Sequence, residues 1–280
     1  QTDIGLDFGF FNERLSFTID AYYKRTQDLL LYVQIPASSG FTTSLQNRGQ
    51  TENKGLELTI NGVPVSKTFQ WETNVNISFN RNKVLDLNGV DQLLTSESPY
   101  SVIQLGQPLG LFYGYKTAGV FRDADQVAAS AQKTAKPGDL IYVDTNKDGV
   151  INTNDRVVLG QSQPKFFGGF TNTFSYKSLS LLVFFQGSYG NQLFNNNKVT
   201  LENLYGLQNQ SVSVLDRYTP TNRDTNMPRA SSIKPTDNGL DRYVEDASYV
   251  RFKNVQLSYR LPDGLLARIA KGMTAKVYVN

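Results

Sequence analysis

Between Val143 and Arg156 the chain reads VDTNKDGVINTNDR, a run whose side chains are spaced for metal chemistry. Counting from Asp144, oxygen-bearing side chains stand at positions one, three and five (Asp144, Asn146, Asp148), nine (Asn152) and twelve (Asp155). The backbone carbonyl of Val150 falls at seven. Calcium is a hard cation that takes about six to eight oxygens, and this spacing wraps them around one point, with Gly149 at six allowing the sharp turn. Ile151 at eight is the apolar anchor. Asp155 replaces the usual Glu at twelve, so bidentate ligation requires a closer backbone approach. One expectation is therefore a structural Ca2+ held by Asp144, Asn146, Asp148, Val150, Asn152 and Asp155. The other is an Asx-turn loop held by its own hydrogen bonds, without metal. The flanks GDLIYV and RVVLG read as strands, so there is no helix pair to open and no sensor role is expected.

Other chemistry is sparse. The 280 residues contain no cysteine and no histidine. That removes disulfides, thiolate sites, Ser-His-Asp catalysis and most zinc sites. Carboxylate pairs such as Asp123/Asp125 and Glu245/Asp246 read as solvated loop charges rather than an acid and a base. The glycine-rich GQPLGLFYGYKTAG lacks the Gly-Lys-Ser/Thr ending of a phosphate loop. Its aromatics Phe112, Tyr113 and Tyr115 could stack on sugar rings, but packing within a loop layer is the better reading. The expectation is a protein that is not an enzyme. Twenty-eight basic against 25 acidic residues, dispersed along the chain, also give no nucleic-acid footprint.

The elements that must carry these residues show period two. From Phe69, the residues Phe69, Trp71, Thr73, Val75, Ile77 and Phe79 alternate with Gln70, Glu72, Asn74, Asn76, Ser78 and Asn80, one face almost wholly apolar and the other polar. Leu15, Phe17, Ile19, Leu56, Leu58, Ile60, Val255, Leu257 and Tyr259 alternate with polar residues in the same way. Leu15 to Gln34 reads as one strand of about twenty residues, longer than the usual five or six of soluble sheets. Tight turns fit at Asn12–Arg14, Ser66–Thr68 and Lys177–Ser178. Between them lie long excursions, roughly Ala37 to Glu52, Leu87 to Gln163 and Asn195 to Asp246. Within these, Asp123 to Gln132 reads as an Asp-capped helix and Leu207 to Tyr218 as another helical stretch. Short turns at one end, long loops at the other and aromatics near the turns describe an outer-membrane barrel. Parity is kept if the chain descends at Ile4 and ascends at Lys276. The competing architecture is a soluble β-sandwich serving as a glycan-binding or adhesive module.

Four stretches carry a family resemblance: DIGLDFGFFNERLSFTIDAYYKRTQDLL, NRGQTENKGLELTIN, the long segment from KPGDLIYVDTNKDGV to GSYGNQLFN, and DASYVRFKNVQLSYRLP. In this order the chain resembles the C-terminal barrel portion of SusC/RagA-type TonB-dependent outer-membrane transporters of Bacteroidetes. The acidic-amide loop followed by P-K-F-x-x-G and an aromatic strand is its most specific part. The expected fold class is all-β: about eight antiparallel transmembrane strands of a larger barrel, with residues 89–163 and 195–246 as extracellular excursions. Residues 1–280 are expected to be a partial barrel domain, with plug and first strands before Gln1 and the last strands after Asn280. The resemblance implies TonB-driven import of oligosaccharides or peptides with a SusD-type surface lipoprotein, in contact with outer-membrane lipid. Inward-facing Asp20, Glu57, Glu72, Asn74 and Asn76 would line the lumen without identifying a substrate.

Overall fold

In the computed structural model, eight long or edge strands hydrogen-bond in the order in which the chain makes them. They are β1 (Thr2–Phe10), β2 (Leu15–Thr26), β3 (Gln50–Ser66), β4 (Phe69–Asp86), β5 (Phe166–Tyr176), β6 (Leu179–Tyr189), β7 (Tyr249–Arg260) and β8 (Lys276–Val279). Every neighbouring pair is antiparallel, so the wall is an up-and-down meander. The structure describes residues 1–47, 49–87, 89–94, 100–232, 239–262 and 275–280. Parts of the expected excursions 89–163 and 195–246 lie outside these residues.

The alternation of the sequence becomes two faces because directly opposed residues point the same way. Phe8, Phe17, Ile60, Val75, Phe170, Phe185 and Phe252 form one cross-strand row. Leu6, Ile19, Leu58 and Ile77 form the next, continued by Gly168, Gly187 and Val250. Leu257 opposes Leu181 and Tyr259 opposes Leu179 on the same face. Among the described residues no second sheet covers this face: Leu6 is 54%, Phe170 42% and Leu257 48% exposed. A sandwich would bury these side chains; a barrel turns them to lipid. From Phe69 to Phe79 the band spans ten steps of a strand, about 33 Å, or about 25 Å at a typical barrel tilt. Aromatics mark both edges, with Phe69, Trp71 and Phe174 stacked near the turns and Phe79, Phe166 and Tyr189 packed near the excursions. The indole of Trp71 also satisfies Asn172, a buried polar residue on this face, donating to its Oδ1 at 2.9 Å.

The turns follow the sequence reading to within a residue, at 11–14, Lys67–Thr68 and Lys177–Ser178. The twenty-residue strand expected from Leu15 to Gln34 is shorter. β2 ends at Thr26, and Leu30–Gln34 pairs instead with Thr43–Asn47 in a separate hairpin. Asp28 adopts φ 58° and Gly49 φ 103°, and the Leu29 N–H meets the Gly49 carbonyl at 3.3 Å. Positive φ on both sides of the hairpin stem swings it out of the wall. The sequence marks the break, since Thr26, Gln27 and Asp28 are polar in succession and Leu29 to Val33 apolar in succession, so the alternation stops there.

The excursions have their own architecture. Val157–Gln161, Leu111–Gly114, Ser101–Gln104 and Gln92–Leu94 make a four-stranded sheet, and Thr117–Val120 pairs with Leu140–Tyr142. The expected helix is present as Ala124–Ala129, with Asp123 as N-cap accepting from the Gln126 N–H at 2.8 Å. The second helical stretch is only a 3-10 segment, Val212–Asp216. A helix at Asn196–Leu201, capped by Asn195, had no counterpart in the sequence reading. Apart from Val84, every buried hydrophobic side chain among the described residues belongs to this layer.

Candidate functional site

Two surfaces can act on something outside the chain: the polar face of the wall and the rim layer built by the excursions. On the wall, Asp20, Glu57, Asn74 and Asn76 take the face opposite the apolar rows, as expected, and Glu72 joins them. Asn74 donates to Asn61 Oδ1 at 2.6 Å, and Thr18 donates to Asp7 Oδ1 at 2.6 Å. Tyr22 donates to Asn80 Oδ1 at 3.0 Å. Asp20 stands directly across from Glu57, two like charges that are tolerated only beside water. This face is a hydrated, amide-rich and acidic lining of the kind a water-filled lumen requires.

The loop 144–155 sits in the rim layer between the strands Leu140–Tyr142 and Val157–Gln161. Its side chains are already engaged. Asp144 Oδ2 accepts from the Gly149 N–H at 2.8 Å and Oδ1 from the Asp148 N–H at 3.2 Å. Asn146 Oδ1 accepts from the Asp148 N–H at 3.0 Å and its amide donates to Asp148 Oδ2 at 2.8 Å. Asp148 Oδ1 takes the Val150 N–H at 2.9 Å. Asn152 caps a 3-10 turn, Thr153–Asp155, in a reciprocal capping box with Asp155. Gly149 has φ 83°, the conformation its position demands.

Asp155 anchors the whole loop. It is fully buried, and its carboxylate accepts from the Asn152 N–H at 2.8 Å and the Thr145 N–H at 2.9 Å. These backbone donors, the Asn152 bond foremost, hold its pKa below the ordinary aspartate value, with burial opposing them and Asn146 and Asp144 adding to them. Ile151 packs against the cluster of Tyr115, Val199, Leu240 and Tyr243, so the anchor position does what its spacing implied. Among the described residues no three carboxylates are grouped so as to hold a metal ion, in a chain without histidine or cysteine. The loop's own Asx hydrogen bonds account for its present shape.

The second and third excursions interlock through that cluster. The Tyr115 N–H donates to the Gly239 carbonyl at 2.8 Å, and Thr117 donates through both N–H and hydroxyl to Asp241. Gly114 is glycine because a Cβ there would strike the Gly239 carbonyl. Tyr115 packs edge-on against Tyr142, and Phe112 lies 6.1 Å from Phe194. These two aromatics are spent on packing, whereas Tyr113 stays half-buried. Glu245 takes the Asn195 amide and the Lys198 ammonium, each at 3.1 Å, and these hold its pKa low. Asp246 accepts from Ser248, and Asp123 caps a helix, so these carboxylates are structural, while Asp125 is exposed in the first helical turn. Arg242 meets the nearly buried Glu202 at 3.3 Å beside a polar cleft of about 500 Å³ that includes Thr117, Lys198 and Asn226. Sequence reasoning missed this cleft because its residues come from five separated places in the chain.

Comparison with known proteins agrees with the geometry. The family described as "TonB dependent receptor-like, beta-barrel" matches residues 1–280. TonB-dependent receptor P26 of Formosa agariphila is 38% identical over 93% of this chain, and TonB-dependent receptor SusC of Bacteroides thetaiotaomicron is 30% identical over 99%. The chain spans only 27% of the length of each. The structure of the RagAB peptide transporter superposes with a TM-score of 0.81 at 27% identity, covering 99% of this chain and 30% of that one. The RagAB peptide importer in its "open-open" state superposes with a TM-score of 0.79.

Proposed function

Because this chain belongs to the TonB dependent receptor-like β-barrel family of the outer membrane, we propose that it is the lipid-spanning wall and outer rim of an importer rather than a catalytic unit. The observation that carries the reading is the wall itself. One face is a continuous apolar band about 25 Å tall, and the other is hydrated and acidic, as a transport lumen requires. In this reading plug and further strands come from chain outside residues 1–280, and the energy comes through the TonB system. The cargo is an oligosaccharide or a peptide. The RagAB peptide transporter among the similar structures supports the peptide class, and the oligosaccharide class rests on the family resemblance. The second and third excursions form the extracellular rim, where a SusD-type lipoprotein would seat.

Uptake by cells expressing the full-length receptor tests this. Labelled oligosaccharide or peptide should accumulate only when TonB is present, and equal accumulation without TonB overturns the reading. Shortening residues 195–246 in the full-length receptor should reduce recovery of the lipoprotein in pull-downs. Undiminished recovery removes that loop from the interface.

A calcium ion at Asp144, Asn146, Asp148, Val150, Asn152 and Asp155 belongs to the same proposal. Its support is the ligand spacing, with oxygen-bearing residues at positions one, three, five, seven, nine and twelve. It would pin the loop on the rim, where an affinity of about 10⁻⁴–10⁻³ M is enough outside a cell. Calorimetry with millimolar calcium should show binding that Asp144→Ala abolishes. No heat, with the loop equally ordered in chelator, leaves the Asx-turn loop alone.

A further inference from the structure

The apolar face of the wall is not uniform. Where β5 and β6 cross its upper third, Gly168 and Gly187 oppose each other directly, and both point outward in the row of Ile77 and Val250. Gly168 has no room for a side chain, since a Cβ would strike the Asn76 carbonyl. The missing side chains leave a groove of about 540 Å³ with an almost wholly apolar lining. Phe166 and Tyr189, 5.3 Å apart, wall it toward the excursions; Phe170 and Phe185 wall it on the other side. That volume lies in the range of about 300–1,000 Å³ typical of ligand clefts. No described residue of the chain fills it.

Immediately above this groove the outward face changes character. Beyond the intervening row of Ala21, Leu56 and Phe79, two cross-strand rows on β2, β3 and β4 read Tyr23, Lys54, Arg81 and then Arg25, Glu52, Lys83. Lys165 lies beside them, its ammonium 5.9 Å over the Tyr189 ring, and Arg81 Nη1 donates to the Lys165 carbonyl at 2.9 Å. All five cations are exposed, and Glu52 is the one carboxylate in the two rows. At 3.7 Å from Lys54 it offsets a single charge. At the opposite, turn end of the wall Arg14 sits in a turn and is bound to the Val63 and Pro64 carbonyls.

We propose that groove and cations form one site for a phosphorylated lipid of the outer leaflet, an acyl chain lying over Gly168 and Gly187 and a headgroup phosphate on Arg81, Lys165 and Lys54. A site continuous with the membrane-facing band is open to lipid rather than to dissolved ligands. Cations just beyond an aromatic edge stand at headgroup height, where phosphate is the available anion and Arg recognises it by paired hydrogen bonds. A lipid held here would also brace β5 and β6, which carry the two interlocked excursions. The site rests on the proposed orientation, with the long loops outside the cell.

The test is native mass spectrometry of the detergent-purified full-length receptor, titrated with bis-phosphorylated lipid A, its dephosphorylated form and inorganic phosphate. One lipid A adduct should dominate, and Arg81→Glu with Lys165→Glu should weaken it about tenfold to a hundredfold, the scale of one or two lost charge-assisted bonds. Dephosphorylated lipid should bind the native receptor as poorly as lipid A binds that variant. Val250→Trp, which overhangs the groove, should weaken both lipids. Heat-modifiable gel migration reports folding, and Arg81→Gln with Lys165→Gln replaces any reversal that misfolds. Equal lipid A binding by native and variant receptors overturns the proposal. So does dephosphorylated lipid that binds as well as lipid A, or inorganic phosphate that displaces the headgroup while Val250→Trp has no effect. Orientation is read separately, by impermeant labelling of a cysteine at Asn209 on intact cells. Failure there removes the leaflet assignment and leaves the lipid titration to stand or fall alone.

Discussion

In the eight-stranded wall Leu6, Phe170 and Leu257 remain about half exposed, whereas in the rim layer Val102, Phe121 and Leu240 are at most 2% exposed. The wall buries its apolar side chains against solvent that is not water, so it needs no interior and keeps alternation for its whole length. The rim stands in water and must make a core from its own loops. It does so by joining segments more than a hundred residues apart, as where Thr117 meets Asp241 and Tyr115 meets Leu240. One region is stabilised by its environment and by backbone ladders, the other by close packing and buried polar anchors such as Asp155. The two should therefore fail independently.

Leu240→Ala should have the largest effect, about 2–5 kcal/mol, because it empties a site at the centre of the rim cluster. Hydrogen exchange should show the two excursions opening while heat-modifiable migration of the barrel is kept. Loss of both together would mean that rim and wall are one cooperative unit.

Val75→Arg is the reverse experiment. A cation near the middle of the lipid-facing band should cost about 2–4 kcal/mol in a bilayer. Folding titrations of the full-length receptor into lipid vesicles would measure it, and the same substitution should leave rim exchange unchanged. No penalty in a bilayer would mean that this face does not meet lipid.

Asp155→Asn should cost the rim about 1–3 kcal/mol, since its buried carboxylate serves two backbone donors. The pH dependence has a definite sign. The folded pKa lies below the unfolded one, so this stabilisation is present above the ordinary aspartate pKa. It is lost as pH falls through the lowered folded value. Exchange of the Thr145 and Asn152 amides should rise there in the native protein, and the acid dependence should flatten in Asp155→Asn. Glu72→Gln on the lumen face should be the mildest, within about 0.5 kcal/mol for the barrel. A larger loss would show that the acidic face is structural and not simply hydrated.

Alternation made the wall readable. Phe69 to Phe79 and Leu15 to Tyr23 carry their faces in period two, and the short turns at 11–14, Lys67–Thr68 and Lys177–Ser178 tie three neighbouring pairs, so those hairpins and the apolar face follow from local pattern. The expected single strand to Gln34 failed at Asp28, where a left-handed residue bends the chain and the polar run Thr26-Gln27-Asp28 had already ended the alternation. β7 is the subtler case. Val250 and Phe252 share a face with Val255 and Leu257 only because the register shifts opposite Phe184 and Phe185, leaving Lys253 as an extra residue.

The candidate site divides along the same line. The oxygen spacing from Asp144 to Asp155, the glycine at its turn and the Ile151 anchor were legible, because a tight loop is governed by residues within a few positions of one another. That Asp155 is buried, and that its nearest donors come from Thr145 and Asn152, follows from how the rim packs over it. The lipid-facing groove needed two glycines on neighbouring strands to come opposite, and the cation rows needed three strands to align. By itself the sequence determined the wall, its faces and the loop's chemistry, since each depends on spacing along one strand or one turn. Only the tertiary structure decided the rim core, the bulge and the groove, because those depend on which distant residues the strand pairing brings side by side.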